Sequence, residues 1–181
     1  MPYEPRGRPS AGSPGSALAA PDPEPFGRPL EERFFEDYEP GLAVEYGSYR
    51  VTVEEILDFA RRFDPHDMHA DPDLARNSPL GELIASGWHT TAMMMRIMVG
   101  SYLNHRASIA SPGVDELRWL LPVRPDDRLD ARFAVLDARP STSRPDRGVV
   151  RTRIELLNQD RDLVMTQIMT NLILRRERTP G

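Results

Sequence analysis

The sequence contains no cysteine and no lysine, and each absence excludes a class of chemistry. Without cysteine, the chain has no disulfide, no thiolate nucleophile and no zinc–thiolate site. All 23 basic residues are arginine, so a Schiff-base mechanism, which requires a lysine amine, is excluded as well. The chain also lacks any run of about 18 uncharged apolar residues, the length that a transmembrane helix needs.

The charge excludes a further class of function, and the length limits the number of domains. The formal net charge of -5 at pH 7 argues against a general nucleic-acid-binding protein. A chain of 181 residues is long enough for one domain with its own core and hardly for two. Because neither a membrane span nor a signal peptide is recognisable, we expect a cytoplasmic protein without a membrane partner.

Large aliphatic residues are scarce at the start of the sequence. Residues 1–30 hold eight of the 18 prolines, and such a composition cannot bury enough apolar surface to offset the entropy lost on ordering. We therefore predict a disordered tail over 1–30, one domain over 31–176 and a short C-terminal tail over 177–181.

Residues 49–51 are predicted to end a short strand, and signals for a helix follow directly. In the stretch TVEE, Thr52 can cap a helix and Glu55 can reach back to the Thr52 amide, which is the capping-box arrangement. Apolar residues at helical spacing continue to Phe63. Pro65 disfavours helical geometry in the residue before it, so the helix is predicted to end at about Asp64.

Two further helices and a run of strands follow. Asp71, with Pro72 behind it, predicts the start of a short helix. The segment from Trp88 to Leu103 is apolar on nearly every face, which indicates a helix buried inside the fold. The next four segments are strand-like, and two of them alternate apolar and polar residues as half-buried strands do: GVDELRWLLPV, RLDARFAVLDA, GVVRTRIELLN and DLVMTQIMTNLILRR. This order of elements indicates an α+β fold in which antiparallel strands surround the apolar helix.

The loop RRFDPHDMHADPD, residues 61–73, is the first candidate for a functional site. Its aspartates and histidines allow three interpretations: solvated and helix-capping side chains, a metal site, or an acid–base pair. Capping explains Asp71. A metal site would use His66 and His69 with a neighbouring aspartate, but an H-x-x-H spacing in a loop is a weak signal. An acid–base pair would consist of Asp64 and His69.

The stretch IASGWHTT, which opens the apolar helix, adds a second element to the acid–base interpretation. The start of a helix carries amide donors without intrahelical partners and a partial positive charge. Gly87 would let a ligand approach this backbone closely, and Ser86 could cap the helix. A carboxylate and an imidazole facing such a helix end could act on a carbonyl compound: the helix polarises the oxygen while the side chains move protons.

These two elements, in this order, resemble the MaoC-like dehydratases, the (R)-specific enoyl-CoA hydratases of the hotdog fold. The loop pattern of that family is Asp-x-Asn-Pro-x-His followed by x-Asp-Pro, and it stands here as DPHDMH and ADP over residues 64–72. The stretch ASGW at 85–88 matches the glycine-containing start of the family's long helix. GVDELRWLLPVRPDDRL resembles the family's strand ending in a Pro-Val-x-Pro-x-Asp turn. The similarity extends over residues 34–175.

The resemblance implies a single hotdog domain, with a long central helix wrapped by a curved antiparallel sheet, assembled as a homodimer with sites at or near the subunit interface. It also implies reversible syn addition of water across the trans-2 double bond of an enoyl-CoA or related thioester, without a metal and without a cofactor other than the CoA of the substrate. Asp64 and His69 are then the catalytic residues, and the Gly87 amide stabilises the enolate oxygen. The further candidates for the oxyanion and substrate-binding site are Ser86, Trp88 and His66.

Two departures from the family pattern keep alternatives open. His66 stands where the family has Asn, and Asp67 stands where it has Pro. A hotdog acyl-CoA thioesterase would share the scaffold and the thioester substrates. A non-catalytic hotdog subunit that binds an acyl thioester would tolerate the changed positions, and a metal-dependent enzyme is a more distant alternative.

Overall fold

The computed structural model describes residues 26–176, so the predicted C-terminal tail and positions 1–25 of the predicted N-terminal tail lie outside the described residues. Two short 3-10 turns precede the first strand. The elements follow in the order β1 (Ala43–Arg50), α1 (Val53–Phe63), α2 (Asp67–Ala70), α3 (Pro72–Ala75), α4 (Gly87–Ser101), β2 (Ser108–Trp119), β3 (Arg128–Pro140), β4 (Arg147–Leu157) and β5 (Leu163–Leu174). Over this described stretch, no helix has the length and apolarity needed to cross a membrane.

The strands form one antiparallel sheet in the order β1-β3-β4-β5-β2. The four strands predicted after the central helix are all present, and the α+β class is confirmed. β2 begins at Ser108 rather than at the predicted Gly113, and it ends at Trp119. It continues through Pro112 because it lies at the edge of the sheet and contains register shifts, where a residue without an amide donor is tolerated.

The central helix α4 packs on the sheet through one face. The buried apolar residues of this face are Met93, Met94, Ile97 and Met98. On the opposite face, Trp88 and Val99 are exposed in the single chain. The prediction that this helix is buried on nearly every side is therefore wrong for the single chain, because one sheet covers only one face of a helix.

Side-chain caps start α1 and α3 as predicted, but Glu55 does not complete the capping box of α1, since its carboxylate accepts the Tyr49 hydroxyl at 3.0 Å instead. The Thr52 hydroxyl caps α1 by accepting a hydrogen bond from the Glu55 amide at 3.3 Å. α1 ends at Phe63, just before the proline. The Asp71 carboxylate caps α3 by accepting two amides of its first turn, at 2.8 and 3.1 Å. These signals are visible in the sequence because donor and acceptor are only two or three residues apart.

The segment between α3 and α4 is held by backbone hydrogen bonds on both sides. The Ile84 amide donates to the Met68 carbonyl of α2 at 3.1 Å. The Ala85 amide donates to the Val123 carbonyl, beyond the end of β2, at 2.8 Å. The acidic loop, the start of α4 and the end of β2 are thereby brought together.

The described chain starts to pack before the predicted domain boundary at residue 31. The Phe26 ring lies edge to face with Tyr38 and with Tyr102, at centroid distances of 5.3 and 5.8 Å. The Arg33 guanidinium lies 4.0 Å from the centre of the same ring. An aromatic side chain within the predicted tail therefore contributes to the domain.

Candidate active site

Asp64 lies close to three of the other candidate residues, Ser86, His66 and His69. It directly follows α1, and its amide donates to the Ala60 carbonyl at 2.8 Å. Its side chain is 19% exposed. Oδ2 accepts a hydrogen bond from the Ser86 hydroxyl at 2.6 Å, and Oδ1 is in hydrogen-bonding contact with Nδ1 of His66.

These contacts favour the ionised form of Asp64. The hydrogen bond from Ser86 is the main cause of a pKa below the ordinary aspartate value. Burial acts in the opposite direction, while the contact with His66 and the proximity of His69 lower the pKa further. Because aspartate ordinarily titrates near pH ~4, the carboxylate is ionised at neutral pH and can only accept hydrogen bonds.

Ser86 connects the acidic loop to the central helix. It is the N-cap of α4, where its Oγ accepts the Trp88 amide at 3.2 Å. The same hydroxyl donates its proton to Asp64, and the residue is fully buried. The sequence predicts the cap but not the bond to Asp64, so this side chain both starts the helix and orients the carboxylate.

His69 is buried, and its ring is oriented by the backbone. Nδ1 lies 2.9 Å from the Ile84 carbonyl oxygen. A carbonyl only accepts, so Nδ1 carries a proton, and the neutral ring therefore presents the lone pair of Nε2. Nε2 lies 3.8 Å from Asp64 Oδ2. Two acceptors at this separation do not bond each other, but one water molecule can donate a hydrogen bond to both.

Gly87 begins α4, directly after Ser86. No backbone or side-chain acceptor from residues 26–176 binds its amide, as is normal for the first amide of a helix. A Cβ at this position would lie 2.6 Å from the Trp119 ring, so the close approach of the indole requires glycine here. The Trp119 indole N–H donates to the Thr91 hydroxyl at 3.2 Å, which fixes the ring beside the helix start.

Trp88 and His66, the remaining candidates, lie at the edge of this group. Trp88 is 61% exposed and meets Trp119 edge to face, with ring centroids 5.2 Å apart. The side chain of His66 is 72% exposed, and its contact is with Asp64, a partner that the sequence does not predict. Asp64, His69, Ser86 and the start of α4 thus form one connected group, with these two side chains around it.

Two parts of the site have no signal in the sequence. The Ile84 carbonyl that orients His69 is 15 residues away along the chain. The Trp119 ring that covers Gly87 comes from another element altogether, the end of β2. Neither contact follows from a local motif, because both depend on how distant segments pack.

The loop histidines bind the backbone and a carboxylate. His69 Nδ1 is engaged by a carbonyl, and the His66 and His69 rings stand edge to face with centroids 6.3 Å apart. Among residues 26–176, no three His, Asp or Glu side chains are grouped so as to hold a metal ion. The contacts that the structure does describe are those of a hydrogen-bonded acid–base group.

Comparison with known proteins adds a family and several relatives. The family model described as "MaoC like domain" matches residues 37–156. The crystal structure of a MaoC-like dehydratase from Rhodospirillum rubrum is 39% identical and has a TM-score of 0.74, with 81% of this chain and 99% of that chain covered. Likeness to hotdog-fold structures confirms the predicted fold.

Two curated relatives match at lower identity. The Bacillus subtilis protein YdeM is 29% identical over 135 residues, which are 75% of this chain and 94% of that protein. A mesaconyl-CoA hydratase of Cereibacter sphaeroides is 28% identical over 152 residues, which are 80% of this chain. The match covers 42% of that hydratase, so this chain spans less than half of its length.

Proposed function

Since the chain belongs to the MaoC-like domain family, we propose that it adds water across the trans-2 double bond of an enoyl thioester, or removes it in the reverse direction. The family supports a hydratase or dehydratase activity in general. The thioester substrate and the roles of individual residues are our proposal. The observation that carries it is the pair of acceptors, Asp64 Oδ2 and His69 Nε2, which are 3.8 Å apart near the start of α4.

Asp64 and His69 hold the water and move its proton. One of the two accepts a proton from the water while the oxygen bonds to C3 of the enoyl chain. The electrons of the double bond then shift toward the thioester carbonyl and form an enolate. Return of the proton to C2 completes the addition, so atoms and charges balance without a metal or a cofactor other than the CoA of the substrate. A positioned acid or base typically accelerates such a step by about 10²–10⁴-fold.

The start of α4 stabilises the enolate. Negative charge develops on the thioester oxygen, and the Gly87 amide is a donor at the positive end of a 15-residue helix. A fixed donor of this kind typically contributes about 3–4 kcal/mol to the transition state. Ser86 supports the arrangement because it joins the same helix start to Asp64 at 2.6 Å.

The test is the loss of the conjugated enoyl absorbance. The substrates are short and medium trans-2-enoyl-CoA, the corresponding acyl-carrier thioesters, and mesaconyl-CoA, which the name of the Cereibacter relative suggests. We expect turnover by the wild type and a loss of at least about 100-fold in Asp64→Asn and in His69→Ala. Asp73→Asn is the control, since this exposed aspartate of α3 pairs with Arg76 and should leave the rate unchanged.

Two other results would contradict the proposal, and each would indicate a different function. Release of free thiol from an acyl-CoA, without hydration of an enoyl-CoA, would indicate a hotdog thioesterase. Thermal stabilisation by acyl-CoA without turnover would indicate a non-catalytic subunit that binds acyl thioesters.

The active form is proposed to be a homodimer. Within the described residues, the outer edge of β2 pairs with no other strand. The exposed apolar side chains on or beside this edge and on the outer face of α4 are Trp88, Val99, Ile109, Val114 and Trp119. A free strand edge beside exposed apolar surface favours pairing with a second chain.

A further inference from the structure

The proposed reaction gives no role to His66. Its amide donates to the Asp64 carbonyl at 2.8 Å, and Nδ1 of its ring contacts Asp64 Oδ1. Because a carboxylate only accepts, Nδ1 is the donor. The other carboxylate oxygen receives the Ser86 hydroxyl at 2.6 Å. Each oxygen of Asp64 therefore has its own donor, and the carboxylate cannot rotate without losing one of them.

His66 is far more open to solvent than Asp64 is. The side chain of His66 is 72% exposed and that of Asp64 is 19% exposed. Among the described residues, the titratable groups around His66 are Asp64 from the end of α1, and Asp67 and His69 on α2. His66 lines an open groove of about 320 Å³, whose remaining lining residues are uncharged: Met68, Leu74, Asn77, Ser78 and Pro79.

A proton on His66 would change the chemistry of Asp64. Protonation gives a histidine ring a positive charge. A positive charge in contact with a carboxylate favours its ionised form and makes it a weaker proton acceptor. A neutral His66 still donates Nδ1–H, so Asp64 keeps its orientation. Asp64 is then a stronger base than it is beside a protonated His66.

We propose that His66 is a positioning residue for Asp64 and that its protonation slows the reaction. It holds Oδ1, so that Oδ2 stays between Ser86 and His69. A proton on the exposed His66 ring therefore acts directly on the carboxylate that the ring contacts. The inference rests on the proposed function, since it concerns the rate at the same site.

Two substitutions of His66 separate its role in orienting Asp64 from the effect of its charge. His66→Asn keeps an N–H donor that can reach Asp64 but does not titrate, whereas His66→Ala removes both properties. We expect His66→Ala to lower kcat by about 10- to 100-fold across the pH range, because misplacement of a catalytic group costs rate of this order. His66→Asn should keep kcat at alkaline pH and lose less activity than the wild type as the solution is acidified.

The matched control is His105→Asn, the same change at an exposed histidine beyond the far end of α4. It should reproduce both the rate and the pH profile of the wild type. Identical pH profiles for the wild type and His66→Asn, or an unchanged kcat in His66→Ala, would overturn the inference.

A second readout needs no turnover and separates this inference from the proposed function. The imidazole proton resonance of His66, assigned by its loss in His66→Asn, should move in Asp64→Asn and stay in place in Asp73→Asn. A resonance that does not move in Asp64→Asn overturns the positioning role even in an active hydratase. If the resonance moves but the protein has no hydratase activity, the contact between His66 and Asp64 is supported. The proposed function, and with it the effect of His66 on the rate, is then contradicted.

Discussion

At the residue scale, Ser86 has two tasks that one substitution tests together. Ser86→Ala removes the N-cap of α4 and should lower the free energy of unfolding by about 1 kcal/mol. It also removes the main cause of the low pKa of Asp64, so that pKa should rise toward its ordinary value. If Asp64 must be ionised to act, kcat/KM should then begin to fall at a higher pH as the solution is acidified. The pH profile of kcat/KM and a urea titration measure the two effects.

Thr52→Ala is the control for this experiment. Thr52 caps α1 in the same way but does not contact Asp64, so its loss should cost similar stability and leave the pH profile in place. A profile for Ser86→Ala that coincides with that of the wild type would show that the hydroxyl does not control the carboxylate.

The residue scale also shows how far local signals extend. The caps by Thr52 and Asp71 are predictable because the acceptor and the amide are neighbours in any helix start. The contact between His66 and Asp64 is not predictable, although only one residue separates them, because the ring could equally face solvent. Its direction depends on the turn at Pro65, whose geometry the sequence restricts but does not determine.

At the element scale, the start of α4 is packed under the end of β2, and Gly87→Ala tests this contact. The new Cβ would lie 2.6 Å from the Trp119 ring, closer than two carbon atoms approach without displacement. Overpacking of this kind typically costs about 1–3 kcal/mol. The two tryptophans of the chain lie here, 5.2 Å apart, so their fluorescence emission should change as well.

Gly100→Ala provides the comparison within the same helix. A Cβ at Gly100 would meet no atom within 4 Å. Alanine should therefore raise the free energy of unfolding by about 0.5–1 kcal/mol, since glycine is the poorer helix former, and leave the emission unchanged. If both alanine variants were equally stable, Trp119 could not be packed against Gly87.

The contact between α1 and α4 predicts a pH dependence of stability. His89 of α4 stacks on Phe59 of α1 with ring centroids 4.8 Å apart, and its burial lowers its pKa. In the unfolded chain His89 therefore takes up a proton near pH ~6.5, whereas in the folded chain it does so only at lower pH. The free energy of unfolding should fall as the pH drops below that value. Glu55, 3.7 Å away, acts oppositely and at lower pH, because burial raises its pKa.

His89→Phe keeps the stacking and removes the titration. Its Tm should fall less than that of the wild type between pH 7.5 and pH 5.5. His105→Asn, which removes an exposed histidine, should keep the wild-type slope. Equal slopes for the wild type and His89→Phe would mean that this ring takes up its proton in the folded state as readily as in the unfolded chain.

At the scale of the whole molecule, the sequence predicts the kinds of elements better than their surroundings. The four strands and the apolar helix are recognisable because hydrophobic periodicity is a property of each segment alone. The exposure of Trp88 and Val99 is not, because periodicity shows that a face is apolar but not which surface covers it. In a single chain the sheet covers one face of α4, and a second chain is the simplest cover for the other.

The homodimer is therefore a prediction about the whole molecule. Light scattering should give a mass of about twice 20.5 kDa. Val114 is 41% exposed on the edge strand β2, and Val114→Arg should shift the mass toward that of one chain, because it places a charge on the proposed interface. Val53→Arg is the control, since Val53 is comparably exposed but lies at the start of α1 and not on β2. The activity of Val114→Arg should fall as its mass falls. The reason is that Trp119 also lies on β2 and packs against Gly87. A fully active wild-type monomer would contradict the prediction.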